Sequence, residues 1–489
     1  MYEERPGSLH SGSVMTPGEQ HRIAGRKAGR MQKGIPRMTL DRLVLGFFSK
    51  SFARDAIERA QGGPRWLWWL HLLGALAWTV CVCGRTTYVE VGGALLWLMT
   101  LVRLPWVWRA VVMGLAHPLF LAIVVWTAWR AISLLWSPDV EAGVDRIDKI
   151  RFIWNIPFLL PLAPMVGTLV VGLVCGFFVY NLSQLSHGLS RAGMDWLPQW
   201  DRMPNRNAGW NEPVAGGTNL CAALGLHLAA LLHGRRGWAV LGGVGTVITL
   251  VAILATGTRG AWIAAAGLVA LACIVGVRKI PWTARRVAVA CVVGLVLIGA
   301  GGVFGWKVAA PRATEAYQEL EQVFVHQDFS SYTGTRLLLM WWAVQAFSDN
   351  PIGGTGEGGY ETWVLENLAR RGIDPADRTH TGPHPHNTLL QPLANTGFVG
   401  LMLYVMVLLL MTRIAWACRL HEHPYAAGVP WALLGLFAAC MFEVMHMNTH
   451  VLAMWMLLMG LAVAGSVDYV LRHDRAICRN VELDGSPQQ

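Results

Sequence analysis

A chain of 489 residues that is 54% hydrophobic and only 14% charged, with a mean hydropathy of +0.40, lies outside the composition of ordinary soluble domains, where about 25% of residues are charged. A cytosolic enzyme or a nucleic-acid binder is disfavoured despite the formal net charge of +10, because apolar stretches close to bilayer length recur along the chain and define a multi-spanning membrane protein. The nine cysteines do not change this, since most stand inside apolar runs, where they pack as small hydrophobes rather than forming a disulfide framework.

Residues 1–37 are rich in Gly, Ser, Pro and Arg and lack the apolar core of a cleavable signal, so disorder is expected there. Residues 38–60 mix apolar and charged positions as an interfacial helix does. Twelve membrane segments follow, at 66–84, 90–102, 112–136, 150–163, 165–182, 216–233, 238–256, 260–277, 287–309, 398–412, 427–446 and 450–471. The fourth and fifth are short for the roughly 20 residues of a straight span. The expected organisation is a basic cytoplasmic extension (1–65), transmembrane helices 1–9 (66–309), a large periplasmic loop (310–397), helices 10–12 (398–471) and a cytoplasmic tail (472–489).

Charge gives an independent test of orientation. With the N-terminus in the cytoplasm, the inner loops carry Arg103, Arg109, Arg235, Arg236, Arg278, Lys279, Arg285, Arg286, Arg413, Arg419, Arg472, Arg475 and Arg479, as the positive-inside rule requires. Both termini are then cytoplasmic, and the loops 137–149, 183–215 and 310–397 face outward. Positive residues are disfavoured in short translocated loops, so Arg146, Lys149, Arg151, Arg191, Arg202, Arg206, Arg259 and Arg336 call for a reason. Arg130 and Glu443 fall inside predicted spans, both toward the outer end, and a structural ion pair between them is expected.

Three constellations carry candidate chemistry. Thr-Gly-Thr-Arg occurs at Thr256–Arg259 and again at Thr333–Arg336. In each copy the second threonine is placed to cap a helix and the arginine falls in its first turn. A cation there opposes the helix dipole, but it suits a bound anion, and two such sites on one face suggest a diphosphate. The second constellation is His384-Pro385-His386-Asn387, with a short helix over 388–395 and then Gly397 and Gly400 opening the tenth span. Asn387 can cap that helix, leaving His386 beside its positive end, which favours a neutral imidazole fit to act as a base. A metal site made of His380, His384 and His386, without cysteine or regular ligand spacing, and a merely hydrogen-bonded structural histidine remain open beside it. Third, the Pro351–Glu361 stretch is glycine-rich but lacks the Gly-Lys-Ser/Thr ending of a nucleotide loop, so tight turns explain its glycines better than phosphate binding. Glu357 and Glu361 there could supply an acid or position a hydroxyl.

With these residues in view, the chain resembles the bacterial O-antigen ligase group, within the family of ligases, O-antigen polymerases and protein O-oligosaccharyltransferases that act on polyprenyl-diphosphate glycans. The resemblance covers roughly residues 66–471 and rests on the span count, the outer loop between helices 9 and 10, Thr258-Arg259-Gly260, Arg336 and the histidine motif. That motif, His, then Asn, Ser or Arg, nine residues, Gly, two residues, and Gly, Thr or Val, is met at His386, Asn387, Gly397 and Gly400.

The resemblance implies an all-α, GT-C-like, metal-independent glycosyltransferase of the bacterial inner membrane, with no cofactor and its active site facing the periplasm. Its expected partners are an undecaprenyl-diphosphate-linked glycan donor, a lipid A-core acceptor and membrane lipids, with no nucleic acid. His386 is the expected catalytic base, Arg259 and Arg336 the first diphosphate ligands, and Arg191, Arg206, Arg146 and Lys149 further candidates for phosphate contact. His384, Asn387 and Glu357 are expected to support the site. A polymerase or an oligosaccharyltransferase would use the same donor. A lipid-linked glycan transporter is the rival of another class, against which stand the lack of an internal repeat and the gathering of polar residues at one face.

Overall fold

The computed structural model describes residues 37–191, 193–194, 196, 209–278, 310–374, 381–444 and 447–484; of residues 37–40, 191 and 475–484 it describes the backbone alone. Among these residues all regular structure is helical. Two short helices, α1 (Arg37–Leu45) and α2 (Lys50–Ala60), precede α3 (Arg65–Cys81), α4 (Thr86–Val102), α5 (Leu104–Leu115), α6 (Pro118–Ser133) and α7 (Val140–Asp148). After a run of short turns come α8 (Val166–Arg191), α9 (Pro213–His233), α10 (Arg236–Ala255) and α11 (Arg259–Val277). Residues 310–326 form α12, followed by α13 (Tyr332–Asp349), α14 (Tyr360–Arg370), α15 (Leu390–Cys418), α16 (Val429–Cys440) and α17 (Thr449–Asp484).

Seven helical stretches among the described residues are long and apolar enough to cross a bilayer, or eight if α4 and α5 are one bent span. The chain is thus an all-helical polytopic membrane protein. The expected segment at 287–309 lies outside the described residues, and α3 and α16, at 17 and 12 residues, are shorter than a straight span needs.

Three expected segments differ in detail, each for a local reason. The chain bends by 114° between α4 and α5, where Pro105 opens the new helix. Arg103 is buried at this elbow and donates to the carbonyls of Ala60 (2.7 Å) and Gly62 (2.9 Å). The span expected from 112 therefore starts at Pro118, with the His117 ring accepting the Leu119 N–H at 3.2 Å. The segment 150–163 is a broken run of short turns carrying Pro157, Pro161 and Pro164, since each proline removes a helical donor. It packs inward against α17. The segment 427–446 is helical only to Cys440; residues 441–444 turn away to meet other elements, and 445–446 lie outside the described residues.

Two helices form the centre. α9 is buried from Pro213 through Ala230, and α17 is buried along Val451–Ala464. Glycine permits the closest approach: a Cβ on Gly225 would stand 2.3 Å from the Trp431 carbonyl oxygen, and one on Gly435 2.3 Å from that of Cys221. α9 and α16 thus touch backbone to backbone, as small residues allow between membrane helices. The outward faces of α10 and α11 expose Val240, Leu241, Val244, Val251, Ile263 and Ile274, apolar surface suited to lipid.

The two faces of the bundle are distinguishable. Arg54 and Lys50 of α2 pair with Asp474 near the end of α17 (2.7 and 3.6 Å), and His421, just past α15, meets Asp468 at 3.2 Å. α15 therefore ends at the face that carries α2 and begins at the opposite one. On that opposite face, α13 and α14 share a small core of Leu339, Trp342, Ala343, Tyr360, Val364 and Leu368 with Ala394.

Candidate active site

The site is assembled on a kink in α15. Gly397 interrupts that helix at φ 66°, ψ −162°, a conformation open to glycine at little cost. A Cβ there would lie 2.3 Å from the Ile352 carbonyl oxygen. The glycine-rich loop lies along the kink: Thr355 N–H donates to the Ala394 carbonyl (2.9 Å), Gly356 N–H to that of Asn395 (2.8 Å) and Phe398 N–H to that of Pro351 (2.8 Å). The motif glycine is thus required by backbone contact with this loop.

Glu357 anchors the loop from the other side. Arg130 of α6 donates Nε to Glu357 Oε2 (3.0 Å) and an Nη to Oε1 (2.9 Å), with both side chains almost fully buried. The expected Arg130–Glu443 pair is not formed; Arg130 pairs with Glu357 instead, because the Glu357 N–H is held by Ser133 Oγ one helical turn along. Glu357, expected as a supporting group that could lend an acid, has both carboxylate oxygens engaged by this arginine.

The chain just before α15 carries the histidines. Asn387 Oδ1 accepts the N–H groups of Leu389 (2.9 Å) and Leu390 (3.0 Å), filling free donors at the helix start. His386 then takes φ 51°, one of two positive values found for non-glycine residues among those described. Such a backbone is held at a cost of order 1–3 kcal/mol. Its N–H donates to His384 Nδ1 at 3.3 Å, which uses the only lone pair of a neutral His384 ring. Burial pushes the His384 imidazole down to about 3, and charge on His386 adds to the effect. His384 is thus a neutral buttress behind His386.

A segment absent from the sequence expectation joins these parts. In the turn that follows α16, the Cys440 carbonyl accepts the Thr388 N–H (3.1 Å), that of Met441 accepts Asn387 Nδ2 (3.0 Å), and that of Phe442 accepts Arg336 Nη1 (3.0 Å). Phe442 also packs on Gly260, where a Cβ would come within 2.6 Å of its side chain. Glu443 completes the turn with its carboxylate 3.7 Å from His386 Nδ1 and 3.9 Å from both His384 Nε2 and Arg336 Nη2. Burial works against the charge of Glu443, and the facing His386 ring together with the Val444 N–H outweighs it, holding the carboxyl below its usual range.

The two Thr-Gly-Thr-Arg copies meet in space. Arg259, at the start of α11, donates to Thr333 Oγ1 at 3.0 Å and grips Glu319 of α12 at both oxygens (2.6 and 3.3 Å), with Glu315 at 3.2 Å. Glu319 also accepts the Thr333 N–H (3.2 Å). A carboxylate thus sits between a guanidinium and the free N–H groups of α13. The threonines do not cap as expected: Thr258 stands at the start of α11 but directs its hydroxyl to the Pro213 carbonyl, and Ser331, four residues ahead of Thr335, caps α13 by accepting the Gly334 N–H. Arg336 lies a turn inside that helix, its Nη2 on the Tyr332 hydroxyl (2.6 Å) and its Nε buried without a partner.

The remaining expected residues divide clearly. Arg146 of α7 is buried behind the histidine loop, donating to the Pro383 carbonyl (3.1 Å) with Nη1 unpartnered. Lys149 pairs with Asp145 one turn away (2.8 Å). Arg206 and His380 lie outside the described residues, as does the side chain of Arg191. His384, His386 and Glu443 are the residues whose ligand atoms, all within 4.8 Å of one another, could hold a metal among those described. The adjacent Arg336 guanidinium opposes a cation there.

Taken together, the fold and the site define a polytopic helical membrane protein with a histidine, paired arginines and buried carboxylates gathered where helices begin. Residues 244–405 match the model of the family described as O-antigen ligase. The matched stretch contains Arg259, Arg336, His386, Gly397 and Gly400; Arg146 and Glu443 lie outside it. A comparison with curated proteins finds no match.

Proposed function

We propose that this protein is an O-antigen ligase, moving O-antigen polysaccharide from undecaprenyl diphosphate to a sugar hydroxyl of lipid A-core at the periplasmic face of the inner membrane, with both termini cytoplasmic. The observation that carries the reading is the Cys440–Glu443 turn, which bonds Asn387 and Arg336, faces His386 through Glu443 and packs on Gly260 beside Arg259, in a chain whose residues 244–405 match this family's model. The acceptor hydroxyl gives its proton to His386 as its oxygen attacks the anomeric carbon. The anomeric bond to the diphosphate breaks on the opposite side, so the configuration inverts and undecaprenyl diphosphate leaves with the bonding pair. Arg336 and Arg259 stabilise the charge that grows on the leaving group, the task for which fixed cations suit a dry site. No metal is assigned to this step.

The Glu319 carboxylate, between Arg259 and the α13 N–H groups, occupies the place a phosphoryl oxygen takes in this scheme, so donor binding exchanges one anion for another. The GT-C-like arrangement, twelve spans and periplasmic placement of residues 310–397 are parts of the same proposal. Reconstitution of the protein with a lipid-linked glycan and purified rough lipopolysaccharide tests it. Glycan on lipid A-core is the expected product. Longer lipid-linked chains would make the protein a polymerase, glycosylated protein an oligosaccharyltransferase, and glycan crossing the bilayer without a covalent product a transporter.

A further inference from the structure

We propose that Glu443 is the positioning residue for His386: its carboxylate accepts the His386 Nδ1–H and so turns the Nε2 lone pair toward the acceptor hydroxyl. This rests on the reading of His386 as the base. Four observations carry it. The turn that bears Glu443 is fixed, since the three carbonyls before it are spent on Thr388, Asn387 and Arg336. His386 Nδ1 is buried with no hydrogen-bond partner, and Glu443 Oε2 stands 3.7 Å from it. A shift of a few tenths of an ångström closes that gap, as catalytic hydrogen bonds do when substrate is bound. His384, having accepted the His386 N–H at Nδ1, directs Nε2 to Glu443 Oε1 at 3.9 Å. Finally, the left-handed backbone of His386 is a strained conformation that persists where the surroundings over-determine it.

The chemistry follows from the division between the two ring nitrogens. A neutral imidazole can take a proton at only one of them, and a carboxylate on Nδ1–H fixes the tautomer that leaves Nε2 free. When Nε2 takes the acceptor proton, the imidazolium lies beside a buried anion. The charged groups that face His386 are Glu443, Arg336 and, behind the loop, Arg146, together with the His384 ring. Glu443 is the one carboxylate in that set, and it also approaches Arg336 at 3.9 Å. Two roles must therefore be separated: orienting the base and holding the phosphate ligand.

The test is steady-state transfer by Glu443→Gln and Glu443→Asp in the reconstituted full-length protein. A positioning role predicts that Glu443→Gln loses roughly 100-fold or more in kcat while the donor KM stays within about 3-fold, with Glu443→Asp between it and the parent. A raised donor KM with kcat preserved overturns the proposal and gives Glu443 to Arg336. The double variant His386→Ala/Glu443→Gln is the second arm and holds even if the single variant is unstable. Residues that act as a unit are not additive, so the double change should cost no more than His386→Ala alone, and additive losses overturn the proposal. Activity lost to a chelator and restored by zinc would reassign the three side chains to a metal and overturn it too. If His386→Ala itself turns over normally, the parent reading fails, a result distinct from any of these.

Discussion

Glu357→Gln separates a structural carboxylate from a catalytic one. Glu357 and Arg130 are 2% and 1% exposed at their side chains and share two hydrogen bonds of 3.0 and 2.9 Å. Arg130 Nη1 is already buried without a partner, so removing the carboxylate charge leaves a guanidinium with little compensation beyond the Trp126 ring 4.9 Å away. Breaking such a pair from one side costs about 3–5 kcal/mol. Gln keeps one acceptor, which places the expected loss near the lower end, about 3 kcal/mol. Tryptophan fluorescence of the detergent-solubilised protein should then show a thermal midpoint lowered by several degrees. Replacing both partners by apolar side chains, Arg130→Met with Glu357→Met, should recover most of that loss, because a buried pair is often matched by packing of similar volume. A Glu357→Gln protein with an unchanged midpoint and a collapsed kcat would refute the structural assignment.

His386→Ala should cut transfer by about 100-fold or more and leave the thermal midpoint in place; near-normal turnover would sink His386 as the base. Glu319→Gln should lower the donor KM by roughly 3- to 10-fold, the worth of one partly exposed charged contact to be displaced, and a KM that rises instead makes Glu319 a ligand of the site rather than its placeholder. Gly397→Ala should destabilise by about 2–3 kcal/mol and lose activity with it, since φ is 66° and the new Cβ would meet the Ile352 carbonyl oxygen at 2.3 Å; a stable, active variant would contradict the close contact with the glycine-rich loop.

Much of the fold was legible because lipid-facing helices announce themselves by apolar length, and most expected segments coincide with helices. The failures fall where backbone rather than hydropathy decides. Residues 427–446 read as one apolar span, yet the helix stops at Cys440 because the next carbonyls find better partners in Thr388, Asn387 and Arg336. Hydropathy carries no signal for such exchanges. The motif residues Arg259, Arg336, His386 and Asn387 were visible as helix-start chemistry; the last three meet one turn, and Arg259 adjoins it through Gly260. The pairing of acids to bases was not visible, since Glu357 and Glu443 lie 227 and 313 positions from Arg130 and only the fold chooses between them. A signal for Glu443 did exist: an unpaired acid near the outer end of an apolar segment is a functional candidate by default.

The geometry also explains why cations sit at helix starts, where the dipole disfavours them. α11, α13 and α15 all begin around the Cys440–Glu443 turn, and each positive helix end adds to Arg259 and Arg336. This positive potential is met by Glu319, Glu315 and Glu443. Of these, Glu319 and Glu315 belong to α12, whereas Glu443 is tied into the fixed turn. In the proposed scheme the two kinds of carboxylate therefore have different fates when the diphosphate donor binds. In that scheme those on α12 are exchanged for phosphoryl oxygens, while Glu443 stays, because the carbonyls beside it hold the start of α15 and Arg336 of α13. A site that needs an anion to leave and a base to remain in place gains from drawing its countercharges from two elements, one exchangeable and one locked.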